Sequence, residues 1–404
     1  MVKMKFRKSR KIFIHIDCDS FFAECEILKN PKLKGKYVLV WTEIVTACNY
    51  KCKDLWIKVT MPVWQAKDIL WDKAIFLEWD YNFYSHISNK MMEYLRENTL
   101  KTEPFSIDEA FCEITGLPEL YKLSLEDYIK KLQRDVAKHI WVPVSIWVST
   151  TRIKAKIFSK LNKPNWYYID LWESKELYKN LPLSIVPFIW KSKQEFLKYK
   201  CKNVYDFIKS GFFYLKKSLW KTSTDLWLEL SGVNAFVVRK NPESKSMSRW
   251  RSFNKNITNN KEFLHKQLIE NFNYLFQEFS QKNYKCNKVS IFFRDKEKET
   301  HTHNYCWTKK VFERQELLKV VEFLFSKNYS TEMLCRSTGL VFAWLEKNIN
   351  IQLNIFENIN KQQNSSKQLF SVINKINSKY NSNKISFGTD LLGKEFESKL
   401  GIRK

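Results

Sequence analysis

The chain has 404 residues, with 69 Lys and Arg against 43 Asp and Glu for a formal charge of +26. That length allows two to four modules, and a basic excess spread along the whole chain reads as a polyanionic partner, the plainer alternative being a compositional bias toward Asn and Lys. Nine Cys without a C-x-x-C pair suit a reducing cytosol, and the only apolar run near the N-terminus, Ile12 to Ile16, is too short for a signal peptide or a membrane span.

Residues 11–17 alternate as a short strand ending in Asp17-Cys18-Asp19, followed at once by Phe21 and Phe22. A small lobe comes next, in which Cys48 and Cys52 stand one helical turn apart, a spacing suited to buried packing. From residue 81 the pattern is helical, with Phe83, Ile87, Met91 and Leu95 on one face. Strands flank Phe105-Ser106-Ile107-Asp108-Glu109-Ala110-Phe111, a second helix covers roughly 124–139, and Val144 to Val148 closes the unit. The order is strand, helix, strand, strand, helix, strand, interrupted by the lobe. That is the ferredoxin-like arrangement, which sets the first strand beside the hairpin.

Two adjacent acids flanked by apolar residues are costly to bury unless a cation neutralises them. In a straight strand Asp108 and Glu109 would point to opposite faces, so a shared site requires them where a hairpin begins or bends. Asp17 supplies a third carboxylate if the segments are neighbours. Hard oxygen ligands with no His or Cys partner favour Mg²⁺. The plainer alternative makes Asp108 a turn residue and Glu109 a solvated one.

Basic residues follow the last strand of this unit, from Arg152 through Lys154, Lys156 and Lys160 to Lys163, close enough to reach the same cleft. Residues 171–238 read as a helical module and 239–247 as a polar linker. A second strand-helix-strand-strand-helix-strand unit spans 248–345: a strand from Ser248 to Phe253, a helix over 261–282, strands at 289–293 and 299–307, a helix at 311–327 and a strand at 338–345. Arg249 and Arg251 alternate onto one face of its first strand, after Lys245. His301, His303 and Cys306 read as exposed strand residues. The 346–404 tail is polar and flexible in composition, with a short amphipathic pattern from Leu369 to Tyr380. Fifteen Trp stand against eight Gly, and Trp166, Phe188 and Trp190 fall where turn chemistry wants glycine.

Ile16-Asp17-Cys18-Asp19-Ser20-Phe21-Phe22-Ala23 and Ser106-Ile107-Asp108-Glu109-Ala110 resemble the two catalytic signatures of Y-family translesion DNA polymerases, the DinB/UmuC (ImpB/MucB/SamB) group. The resemblance implies an α+β multidomain chain: a ferredoxin-like palm (1–19 and 81–170), a small fingers lobe (20–80), a helical thumb with a helix-hairpin-helix (171–238), and a little finger (248–345) tracking DNA with Lys245, Arg249 and Arg251. It implies low-fidelity, template-directed DNA synthesis with two Mg²⁺ ions roughly 3.5–4 Å apart, held by Asp17, Asp108, Glu109 and the Cys18 carbonyl. It further implies Phe22 as a steric gate against ribonucleotides, and Tyr50, Lys53 and Lys163 as triphosphate ligands, Lys53 standing where Arg is common. Partners would be primer-template DNA, a deoxynucleoside triphosphate and a sliding clamp, docked through Gln352, Leu353, Ile355 and Phe356. A monomer without membrane association is expected. The main rival is a catalytically impaired DNA- and clamp-binding protein of the same fold, supported by the Trp-for-Gly pattern and a short fingers hairpin. A nucleotide cyclase is more remote, since a cyclase has no need of a duplex-tracking unit.

Overall fold

In a computed structural model, the structure describes residues 11–347 apart from 43, 160–162, 172–174, 190–200, 213–214, 217–220, 239–243 and 254–256, together with Val372. The chain divides into two compact units, Met1–Pro242 and Glu243–Lys404.

The first unit opens with β1 (Phe13–Cys18) and α1 (Phe21–Lys29). The lobe then follows as β2 (Tyr37–Trp41), β3 (Val45–Cys48), α2 (Tyr50–Asp54), α3 (Val63–Leu70) and β4 (Ala74–Glu78). The chain returns through α4 (Tyr81–Asn98), β5 (Lys101–Pro104), β6 (Glu109–Glu113), α5 (Leu117–Leu120), α6 (Leu125–Ile140) and β7 (Val144–Ser149). It continues through α7 (Arg152–Phe158), β8 (Tyr167–Asp170), α8 (Lys175–Asn180), α9 (Val204–Lys209) and α10 (Lys221–Leu230).

The main sheet runs β5-β6-β1-β7-β8, so the expected ferredoxin-like order is present and β1 lies between β6 and β7. β8, which the sequence pattern did not reveal, adds a fifth strand parallel to β7. β1 is covered on both faces, which is why it reads as nearly continuous Phe-Ile-His-Ile rather than as an apolar-polar alternation. On one face α4 and α6 supply the core: Tyr84, Ile87, Met91 and Leu95 from the first, Ile129, Leu132, Val136 and Ile140 from the second, against Ile14, Ile16, Ala110, Cys112, Ile146 and Val148. Both helices start on an Asx or Ser cap. Asp80 accepts from the Phe83 amide and Ser124 from the Asp127 amide, each satisfying a first-turn donor that would otherwise lack a helical partner.

The lobe has its own three-stranded sheet, β3-β2-β4, and a small core of Leu39, Val45, Cys48, Cys52, Ile57, Ala66 and Leu70. Cys48 and Cys52 are buried there as packing residues. Residues of α8, α9 and α10 pack with Ile153, Ile157 and Phe158 of α7.

The second unit contains β9 (Ser246–Ser252), α11 (Lys261–Gln281), β10 (Tyr284–Asp295), β11 (Thr300–Val311), α12 (Arg314–Asn328), β12 (Cys335–Ala343) and the two-residue β13 (Glu346–Lys347). The element order matches the sequence reading, with β10 and β11 each longer than their alternation suggested. Sheet order is β11-β10-β12-β9, with β13 beside β10. Its first strand is thus an edge, unlike β1. Among the described residues no helix is long and apolar enough to cross a membrane.

Candidate active site

β1 and β6 are antiparallel neighbours, and their register sets Asp17 opposite Glu109. Beyond the ladder the Cys18 amide donates to the Asp108 carbonyl at 2.9 Å, so the two acidic segments are tied at the mouth of the hairpin. The other flank of β1 pairs with β7, placing Asp17 beside Ser145. The acids of two distant segments therefore meet at one end of the sheet, as the topology required.

Glu109 is buried, and two groups hold its carboxylate. His15 lies two residues before Asp17 on β1, and its Nε2 is 2.8 Å from Glu109 Oε2; Lys156, from α7, donates to the same oxygen. Burial opposes ionisation of Glu109, but the His15 hydrogen bond and the Lys156 charge outweigh it and bring the carboxyl down to about 2. Burial also lowers the basicity of His15, against the opposing pull of Glu109. Asp17 and Asp108 are shifted the other way. Burial raises Asp17 against the opposing charge of Lys163, and raises Asp108 with help from the neighbouring Glu109, despite the hydrogen bond from Ser106 Oγ.

The donor atoms of His15, Asp17 and Glu109 lie within 4.8 Å of one another; the Asp108 carboxylate is not among them and accepts from Ser106 Oγ. The expectation of an all-oxygen cluster with no histidine is corrected here: an imidazole stands inside the cluster, occupied with Glu109. Cys18 is excluded as a thiolate ligand. Its Sγ is buried against Met91 Sδ at 3.3 Å and burial keeps the thiol protonated, leaving only its carbonyl as a possible donor. Asp17, Asp108 and Glu109 are hard oxygen donors, a set that fits a hard divalent cation, and Lys163 and Lys156 pair with two of them.

The basic wall comes from the segment after β7 and from the lobe. Lys163 donates to Asp17 and stands 3.8 Å from Asp19. Tyr50, the first residue of α2, points its hydroxyl at Asp19 Oδ1 at 3.4 Å. Lys53, one turn later, bonds Ser20 Oγ at 2.8 Å with its ammonium 4.0 Å from the centre of the Tyr50 ring. Burial, with Lys163 near, lowers its basicity. A hollow of about 470 Å³ beside them is lined by Glu24, Tyr50, Ala137, Trp141, Val142, Pro143, Pro164 and Asn165. Phe22, in the first turn of α1, stacks on Tyr84 at 4.6 Å and meets Trp79 edge-on at 6.1 Å, so its ring is held on two sides.

In the second unit Arg249 and Arg251 do share a face of β9. It is the face towards α11: Arg249 lies over the Tyr274 ring at 5.1 Å, and Arg251 pairs with Glu270 at 3.4 Å while keeping half its side chain exposed. Lys245 is exposed, and its carbonyl accepts from the Leu345 amide. Gln352, Leu353, Ile355 and Phe356 lie outside the described residues, as does Trp190. Of the other two glycine-like positions Phe188 does have φ 66°, whereas near Trp166 it is Asn165, with φ 49°, that takes the left-handed conformation. His301 bonds Asp295 at 2.8 Å on an exposed strand.

Sequence reasoning missed His15 and Lys156 as partners of Glu109, and Asp19 as a structural centre. His15 looked like one more residue of a strand. Asp19 had a visible signal, a second acid two residues after the first.

The site is thus an acidic cluster, or cup, at the mouth of a ferredoxin-like hairpin, with lysine and tyrosine side chains beside it. Residues 16–160 match the sequence profile of the impB/mucB/samB family. The chain is 25% identical over 353 residues to the protein called DNA polymerase IV of Staphylococcus aureus strain JH9, covering 85% of this chain and 98% of that one. It is 27% identical over 360 residues to the DNA polymerase IV of Fusobacterium nucleatum subsp. nucleatum, with 86% and 99% coverage. Among solved structures, a Y-family DNA polymerase chimera of Dbh and Dpo4 superposes with a TM-score of 0.70 at 21% identity, over 83% of this chain and 100% of that one. DinB from Sulfolobus solfataricus gives 0.55 at 21% identity, with the same coverage.

Proposed function

We propose that the protein is a template-directed DNA polymerase of the low-fidelity, translesion kind, acting in the cytosol as a monomer on primer-template DNA and deoxynucleoside triphosphates, with a sliding clamp as a further partner. The observation that supports this is the pairing of Asp17 with Glu109 across β1 and β6, with Asp108 tied to Cys18 at the same hairpin mouth and Lys163, Tyr50 and Lys53 nearby. The relatives named DNA polymerase IV support it, since they align over nearly their whole length.

Asp17, Asp108, Glu109 and the Cys18 carbonyl would hold two Mg²⁺ ions. Magnesium there would activate the primer 3′-oxygen and neutralise charge on the triphosphate and the departing pyrophosphate. Lys163, Lys53 and the Tyr50 hydroxyl take phosphate oxygens, with Lys163 exchanging its bond to Asp17 for one to the nucleotide. Phe22, braced by Tyr84, closes the space where a 2′-hydroxyl would stand. His15 and Lys156 keep Glu109 ionised and aimed.

Primer extension with Mg²⁺ tests the reading. The native chain is expected to extend a primer according to template and the Asp108→Ala variant to fail. A native chain that binds duplex yet never extends it would instead support a DNA- and clamp-binding role.

A further inference from the structure

Asp19 is completely buried, and its carboxylate gathers groups from three separate segments. Ser145 Oγ from β7 reaches both oxygens, at 3.0 and 2.9 Å; the Asn165 amide donates at 2.7 Å; the Tyr50 hydroxyl donates at 3.4 Å; and Lys163 stands at 3.8 Å. Ser145 Oγ in turn accepts from the Trp166 amide at 3.1 Å. A buried carboxylate needs this many donors to be tolerated at all. Their origin is the informative part. Two come from residues assigned to the incoming triphosphate, one from the lobe and one from the loop after α7, and Asn165 fixes that loop two residues past Lys163.

We propose that Asp19 is the positioning residue of the nucleotide pocket: it locks Tyr50 and the 163–166 loop to the palm so that their phosphate-binding groups face the cup in fixed register. This deepens the polymerase reading and rests on it. Asp19 lies outside the His15, Asp17 and Glu109 cluster, and its effect passes through Tyr50 and Lys163. Losing a preset arrangement weakens binding of the group it was set for and leaves duplex binding alone.

The test is Asp19→Asn, which keeps the shape but replaces one acceptor with a donor facing the Ser145 hydroxyl and the Asn165 amide. Expected are a KM for the incoming nucleotide raised about tenfold, a kcat changed far less, unchanged affinity for primer-template, and faster hydrogen exchange at the Asn165 and Trp166 amides. Unchanged KM in a polymerase that still extends primers overturns the positioning role and spares the polymerase reading. Unchanged amide exchange overturns the tie itself, whatever the chain catalyses.

A second inference rests on the backbone alone. Four tryptophans have positive φ: Trp56 at 64°, Trp71 at 47°, Trp141 at 61° and Trp344 at 55°. These residues are 79%, 78%, 72% and 54% exposed, so packing offers little to offset the strained conformation. Trp71 (ψ −140°) ends α3 and Trp141 (ψ 23°) ends α6, the place where a left-handed glycine ordinarily closes a helix. Gly35, Gly116, Gly211 and Gly232 take the same sign of φ. Average usage would put about 28 glycines in a chain of this length, against the 8 present, and 15 tryptophans accompany the shortfall. We infer that positions 56, 71, 141 and 344 are glycine positions, written as tryptophan because a codon such as UGA is read as tryptophan in one genetic code and as glycine in another. Peptide mass spectrometry of the protein made by its own cell is expected to find glycine at all four. Tryptophan there, or a fourfold Trp→Gly variant that melts below the chain as written, overturns the inference.

Discussion

Asp17 and Glu109 are cross-strand partners, yet each carboxylate is claimed by a different lysine, Lys163 for Asp17 and Lys156 for Glu109. Both lysines follow β7, one in α7 and one just beyond it. One short basic segment thus neutralises both walls of the cup, and the two pairs differ in what they leave available. Glu109 is fixed from two sides by His15 and Lys156, whereas Asp17 depends on a single long side chain that substrate phosphate can draw away.

The three acids are therefore expected to be unequal in stability and equal in necessity for activity. Asp108→Ala and Glu109→Gln should each reduce primer extension by about a thousandfold or more, the scale of several kcal/mol of lost transition-state stabilisation. Circular dichroism should show both variants folded. Extension by Asp108→Ala at a tenth of the native rate would remove Asp108 from the metal site.

Acid stability of the metal-free protein follows from the same contacts. Glu109 lies at about 2 in the folded chain against its ordinary 4.5. A depressed carboxyl contributes stability that is fully present above its unfolded value and is lost as the pH falls through the folded one. His15, lowered from 6.5, adds to the loss on acidification because the unfolded chain takes up that proton more readily. Asp17 and Asp108, raised by burial, act in the opposite sense and cost stability as the pH rises past 3.8. Denaturant midpoints measured in chelator should fall between pH 4.5 and about 2, and Glu109→Gln should flatten that decline. Parallel profiles for the two proteins would show that His15 and Lys156 do not hold the carboxylate.

Much of this site was legible in the sequence because its acids stand in short contiguous signatures and because the ferredoxin-like order dictates which strands meet. What escaped was set by side-chain direction. Period-two alternation says that His15 and Asp17 share a face of β1, but not that a helix arriving more than a hundred residues later brings Lys156 to that face. β8 was missed because four residues with two tyrosines carry too little pattern. The second unit shows the converse: Arg249 and Arg251 were rightly placed on one face, and only the structure shows that this face turns to α11.

Sugar discrimination should rest on Phe22. Its ring is stacked on Tyr84 and braced by Trp79, so it cannot swing aside cheaply to admit a larger sugar. Phe22→Ala is expected to reduce discrimination against ribonucleotides by about a hundredfold or more, with little change in the KM for deoxynucleotides. Competing single-nucleotide incorporation measures this, and unchanged discrimination would place the gate elsewhere.

Duplex binding by the second unit should divide unequally between its two arginines. Arg251 is already partnered by Glu270, so its net pull on a phosphate is reduced. Arg249 sits over Tyr274, a contact that orients the guanidinium without cancelling its charge. Arg249→Ala is therefore expected to weaken binding to all duplex sequences alike and to lower the slope of log K against log salt by about one, while Arg251→Ala changes the slope less. Fluorescence anisotropy titrations at several salt concentrations resolve the two. Equal slopes for Arg249→Ala and the native chain would show that the edge strand β9 meets DNA through its backbone amides rather than through this side chain.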